Sequence, residues 1–197
     1  MDYDMSKREV KLDRELSELD NFVIKFIKLL KNYVIVSGYV SILLGRTRAT
    51  EDVDLLVPKM EKHDFISFWR KVHDEGFWCI NTSNADEAFD ILNEHAIRFA
   101  KKEKPVPNIE FKVIKNDLDK FSYDNRIKVI LAFENLYISP IELQIAYKLF
   151  LGSEKDIEDA RHIYSLLKDK INKEELISSL ETLGVFNKLG LLENGKY

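Results

Sequence analysis

The sequence has one cysteine, Cys79, one glutamine, Gln144, and only four prolines and seven glycines in 197 residues. A single thiol excludes an intrachain disulfide and a thiol-built zinc site. Cys79 stands in the apolar run GFWCI, the setting of a buried, inert thiol rather than of a nucleophile. No apolar run approaches the roughly 20 residues of a helical membrane span. The opening, MDYDMSKREVKLDREL, is charged throughout, unlike a signal peptide. The expected location is therefore cytoplasmic, away from any membrane. Basic excess is missing too. Thirty Lys and Arg against 34 Asp and Glu leave a formal charge of −4, which argues against wide electrostatic wrapping of duplex nucleic acid but permits a local basic groove. His63, His73, His95 and His162 show no metal-ligand spacing and read as surface or partly buried side chains. Internal repeats and low-complexity linkers are also lacking.

What is present is an ordinary globular balance, 45% hydrophobic and 32% charged, enough for one packed domain or a domain with a helical appendage. Ser6 to Glu9 has the spacing of a capping box, predicting a long helix from there to about Lys31 with Leu16, Leu19, Phe22, Val23, Phe26 and Leu30 as its apolar stripe. Strands are expected at YVIV (Tyr33–Val36), DVDLLV (Asp52–Val57, stopped by Pro58), FWCI, AIRFAK and NIEFKVI. The last two are joined by a charged connection, in which KKEK (Lys101–Lys104) reads as a solvated hairpin tip. Trp69, Phe77 and Trp78 read as core. RIKVILA and LYIS form a hairpin around Phe133–Asn135. Short helices are expected at Tyr39–Gly45, ended by Gly45, at Glu61–Glu75 and at Asp86–Asn93. From Ser139 the pattern is helical only. Ser139 to Glu142 reads as a capping box with proline at the first helical position, and Ser153 to Asp156 and Asn172 to Glu175 open two more helices. The expected fold class is α+β: a mixed β-sheet flanked by helices over residues 1–138, and a C-terminal helical bundle, 139–197, packed on that core.

One stretch resists a purely structural reading: VSGYVSILLGRTRATEDVDLLV, Val36–Val57. Alternate strand residues share a face, so Asp52 and Asp54 point the same way, roughly 7 Å apart at their Cα atoms. Two like charges on a half-buried strand repel and are costly to desolvate. A divalent cation such as Mg²⁺, which takes one or two carboxylates together with phosphate oxygens and water, relieves that cost. Upstream, Ser37 and Gly38 allow a tight turn with close backbone approach, and the helix that follows begins with free amides suited to phosphate. Arg46 and Arg48 lie between turn and acids, placed to neutralise more phosphate charge.

In these features the segment resembles the signature of the nucleotidyltransferase superfamily with the DNA-polymerase-β-like fold, where a Gly-Gly or Gly-Ser pair precedes a short helix and an Asp-x-Asp. Here Ser37-Gly38 is followed, after thirteen residues, by Asp52-Val53-Asp54. Ser37 stands where the first glycine is commonest. Arg48, Thr50, Asp52 and Asp54 match the branch that contains the AbiEii-like toxin nucleotidyltransferases. SPIELQIAYKLFLGSEKDIEDA is similar to that branch too, through Lys148, Lys155, Asp156, Asp159 and Ala160. The likeness spans about residues 33–168. It implies a third carboxylate from a neighbouring strand, for which Glu110 in NIEFKVI, alternating with Ile109 and Phe111, is the candidate. It further implies two Mg²⁺ ions held by Asp52, Asp54 and Glu110, and a nucleoside triphosphate such as ATP bound by Ser37, Gly38, Arg48 and Lys148. The implied reaction moves a nucleoside monophosphate to an acceptor hydroxyl on RNA, protein or a small molecule. A toxin–antitoxin or phage-defence role, with a cognate antitoxin or toxin as partner, belongs to the same implication.

Plainer readings stand beside these. Asp52 and Asp54 read otherwise as solvated charge, Glu110 as a strand residue paired with Lys112, Arg46 and Arg48 as surface arginines, and Lys148 as a snorkelling lysine. Asp156 and Asp159 read first as acids at a helix N-terminus. The alternative function is a non-catalytic nucleotide- or partner-binding protein that keeps the fold.

Overall fold

The computed structural model describes residues 1–193. Nine strands form one mixed sheet: β1 (Asp2–Asp4), β2 (Glu9–Leu12), β3 (Val34–Val36), β4 (Asp52–Val57), β5 (Phe77–Cys79), β6 (Ile97–Lys101), β7 (Lys104–Val113), β8 (Ile127–Leu131) and β9 (Glu134–Ile138). Their order is β1-β2-β8-β9-β3-β4-β7-β6-β5. Three neighbouring pairs are parallel, β2 with β8, β9 with β3 and β4 with β7; the other pairs run antiparallel. The helices are α1 (Glu18–Ile27), α2 (Gly38–Leu43), α3 (Lys62–Asp74), α4 (Ala85–Glu94), α5 (Asp117–Asp124), α6 (Ile141–Leu151), α7 (Glu154–Leu167) and α8 (Lys173–Thr182), followed by a 3-10 segment at Phe186–Leu192.

One face of the β4–β7–β6–β5 half is covered by α1 and α3 through aromatic packing. Phe26 of α1 meets Phe68, Phe77, Phe99 and Phe111 with ring centroids 5.1–6.3 Å apart, and Phe68 stacks on Phe111 at 5.2 Å. Such rings bury large apolar areas and favour these edge and offset contacts. Strand alternation sends Val53, Leu55, Ile109 and Phe111 to this core, all fully buried. The same alternation sends Asp52, Asp54, Glu110 and Lys112 to the opposite face. Trp69 and Phe77 are core residues, as expected. Trp78 is half-buried, with its indole N–H donated to the Lys101 carbonyl. Cys79 is buried, and burial pushes its thiol up.

The long helix expected from Ser6 is replaced by strand, turn and a shorter helix. Ser6 Oγ donates to Asp4 Oδ1 (2.7 Å) instead of capping anything. Glu9–Leu12 pairs in parallel with β8 and buries Val10 completely. The helix begins at Ser17, whose side chain accepts from the Asp20 amide while Asp20 accepts from the Ser17 amide. A capping box with Asp in its last position outcompetes the earlier Ser-x-x-Glu because Val10 has a sheet to join. The second expected box, at Ser139, also fails. Pro140 sits outside the helix, Ser139 Oγ donates to Gln144 Oε1 (2.9 Å), and Glu142 is buried and accepts from the Asn172 amide (2.8 Å). The caps at Ser153 and Asn172 form as read. KKEK is only partly a solvated tip: Lys101 Nζ lies 3.5 Å from the Phe77 ring centre and donates to the Glu75 carbonyl. Burial and the nearby Lys25 lower its pKa to about 8.

Candidate active site

Strand β3 lies between β9 and β4, and its end is where the unusual residues gather. Val36 is opposite Asp54. The next residue, Ser37, has φ 63° and ψ −130°, a backbone region that favours glycine, and α2 starts directly after it. Gln144 holds this strained turn on both sides. The Ser37 amide donates to Gln144 Oε1 (3.2 Å), and Gln144 Nε2 donates to the Ser37 carbonyl (2.6 Å). The chain's only glutamine is thus the brace of the turn. Sequence reading gave it no site role, although its solitary occurrence was the available signal. The Ser37 hydroxyl does not cap α2.

Gly38 leaves room for its neighbour. A Cβ there would stand 2.5 Å from Arg48 Nη2. Arg48 lies across the glycine and donates from Nε to Asp159 Oδ1 (3.1 Å), with Nη2 also 3.1 Å from Asp159 Oδ2. Lys148, one turn after Gln144 on α6, donates to Asp156 Oδ1 (2.7 Å) and approaches Asp159 Oδ2 (3.1 Å). Arg46 pairs with Glu158 and reaches Asp159 Oδ1 at 3.4 Å. Fully buried Asp159 thus gathers three cations, and Asp156 and Glu158 balance the remaining charge. The structure brings Ser37, Gly38, Arg48 and Lys148 together. It also commits Arg48 and Lys148 to carboxylates of α7, so the two cations join the turn to the helical part.

On the sheet face, β4 and β7 run parallel with Asp54 beside Glu110 and Asp52 beside Asn108. Lys112 Nζ is 2.6 Å from both Asp54 Oδ1 and Glu110 Oε2, and Arg98 Nη2 is 2.7 Å from Glu110 Oε1. Burial and hydrogen bonding with Glu110 raise the Asp54 pKa against the pull of Lys112. At Glu110 burial is outweighed by hydrogen bonds with Asp54 and Lys112 and by Arg98, so its pKa falls. Asp52 lies two residues upstream on the same face, where the Thr50 hydroxyl donates to its carbonyl (2.9 Å). Among the described residues no three His, Cys, Asp or Glu side chains converge as a metal-holding group. The acids divide into a joined pair, Asp54 and Glu110, and a nearby third, Asp52. The pair's donor chemistry fits a hard cation: two carboxylates at matched register already share one ammonium.

A cavity of about 360 Å³ opens over this face, lined by Ser37, Asp54, Lys112, Gln144, Tyr147 and by Asp119 of α5 among others. That volume suits a small ligand or mononucleotide. Helix α5, absent from the sequence reading, forms one wall.

No protein-family model and no curated protein matches the chain. Solved structures do. A nucleotidyltransferase-like antigenic protein from Paracoccidioides brasiliensis superposes with TM-score 0.53 at 17% identity, over 90% of this chain and 94% of its own. The fold is nucleotidyltransferase-like. The antibiotic-resistance factor ANT(2'')-Ia superposes equally well, TM-score 0.53 at 13% identity, over 88% of this chain and 94% of that one. The likeness covers both the sheet and the helices that follow it. Among the described residues, no helix is long and apolar enough to cross a membrane.

Proposed function

We propose that this chain is a nucleotidyltransferase that moves a nucleoside monophosphate from a nucleoside triphosphate to an acceptor hydroxyl. The observation that supports it most is the register of Asp54 with Glu110 beside the Ser37–Gly38 turn, with Ser37 and Asp54 at a cavity, in a nucleotidyltransferase-like fold. Asp54 and Glu110 would hold Mg²⁺, with Asp52 as the nearby third acid, and the ion when bound supplies charge neutralisation at the reacting phosphate. Ser37 and Gly38 present backbone at the start of α2, where phosphate is favoured. Gln144 keeps that turn in shape by its two hydrogen bonds. Arg48 and Lys148 set the potential behind the turn and fix it to α7. Glu110, on the strand beside Asp54, would be the acceptor for the hydroxyl proton. The residues act by positioning and charge rather than by covalent chemistry.

The acceptor is RNA, a protein side chain or a small molecule. A toxin–antitoxin or phage-defence role rests on the sequence resemblance of Val36–Val57. A second reading, nucleotide binding without transfer, is favoured by two specific contacts: the Ser37 amide is already engaged by Gln144, and Lys112 already neutralises the acid pair.

The test incubates the full chain with each of ATP, CTP, GTP and UTP, labelled at the α-phosphate, in Mg²⁺ with a total cell extract, alongside calorimetric titration of the same nucleotides. Label transfer that Asp52→Ala and Asp54→Ala both abolish, with folding intact, supports the enzyme. Nucleotide binding with neither label transfer nor pyrophosphate release across sampled acceptors selects the second reading instead.

A further inference from the structure

Lys112 is a feature of this site that a metal-holding reading leaves unused. It follows Glu110 by two residues, so alternation puts both on the same face of β7. Its ammonium touches one oxygen of Asp54 and one of Glu110 at equal distance, 2.6 Å each. The second Glu110 oxygen is taken by Arg98. Lys112 therefore sits where the charges of the two acids sum, which is also where a bridging cation gains most.

We propose that Lys112 is the built-in counter-cation of the acid pair, and that a divalent ion enters by displacing its ammonium. This rests on the reading of Asp54 and Glu110 as ion-holding groups. Three observations support the exchange. The Lys112 side chain is 35% exposed, against 15% for each acid, so the lysine has a way out that they lack. It lines the cavity together with Lys115, so its head, once released, stays in a space where an anionic ligand would receive it. An ammonium on a flexible four-carbon stem is a mobile point charge, unlike the fork of Arg98. The exchange lets the chain keep its half-buried carboxylates compensated before the ion arrives, and makes ion affinity lower than the two acids alone would give.

The probe is Mn²⁺ alone, titrated into the full chain and followed by the electron paramagnetic resonance signal of the free ion. Lys112→Met is expected to bind Mn²⁺ at least about tenfold more tightly than the wild type, since a competing charge is gone. Lys112→Arg, which retains the charge, binds no more tightly than the wild type, and Asp54→Asn loses the site. Equal or weaker binding by Lys112→Met, with loss in Asp54→Asn, overturns the role of the lysine and leaves the ion site standing. Absence of binding in both the wild type and Lys112→Met overturns both. If Lys112→Met does not fold by itself, recovery of its circular dichroism on adding Mn²⁺ supports the exchange, and failure to recover contradicts it.

Discussion

Ser37 is the residue whose chemistry and backbone disagree most. Its positive φ falls in a region where non-glycine residues are strained by about 1–3 kcal/mol. Ser37→Gly removes that strain and loses some unfolded-state restriction, so it should raise stability by about 1 kcal/mol. Urea denaturation measures this, and a fall in stability would show that the hydroxyl matters more than the backbone. Gln144→Ala should do the reverse, because it orphans the half-buried Ser37 and the buried Ser139, at about 1–3 kcal/mol. Asp20 is a third residue-scale case. Burial opposes its charge, but Arg14, Ser17 and Tyr39 hydrogen bonds win and bring its pKa to about 2. A depressed carboxylate stabilises above its unfolded pKa, near 3.8, and that contribution is lost as pH falls through the folded value near 2. About 2 kcal/mol should disappear in that window for the wild type and not for Asp20→Asn, as read from denaturation curves at stepped pH. Asp52, Asp54 and Glu110 were legible at this scale because charge interrupts apolar alternation. The Glu110–Lys112 pairing was legible too, two residues apart on one strand, whereas the bracing role of Gln144 was not, since its partner Ser37 lies far away in sequence.

Among elements, β3, β4, α6 and α7 were foreseeable from their apolar patterns and from Pro58 and Ser153 at their ends, whereas α2, short in itself, was marked by Gly45. Residues 6–17 were misread for a physical reason. Helix propensity and a Ser-x-x-Glu spacing are local, whereas the strand at Glu9–Leu12 exists only because β8 offers it an edge. Helix α5 was missed because its eight residues bury little besides Ser122. The junction of α2, α6 and α7 gives the prediction at this scale. Gly38→Ala pushes Arg48 off Asp159 and should cost stability, and so should Arg48→Ala. Because both remove one contact, the double variant should lose clearly less than the sum of the singles. Additive losses in a denaturation cycle would mean that Gly38 serves something other than Arg48. Asp159→Ala should be severe, about 3–5 kcal/mol, since it leaves half-buried Arg48 and buried Lys148 with one acidic partner fewer.

At the scale of the whole molecule, the sheet order places β3 between β9 and β4, and that single arrangement lets one turn meet the acids on one side and the helical part on the other. Gln144 and Lys148 on α6 carry the second connection. The cavity lies where these parts meet, so its shape depends on the fold as a whole rather than on any one motif. The most direct measurement is the rate of label transfer from an α-phosphate-labelled triphosphate by the wild type, Asp54→Asn and Glu110→Gln, each checked for native circular dichroism. The account predicts transfer by the wild type and losses of about 100-fold or more in each near-isosteric variant. Transfer that survives in both variants at the wild-type rate would contradict it.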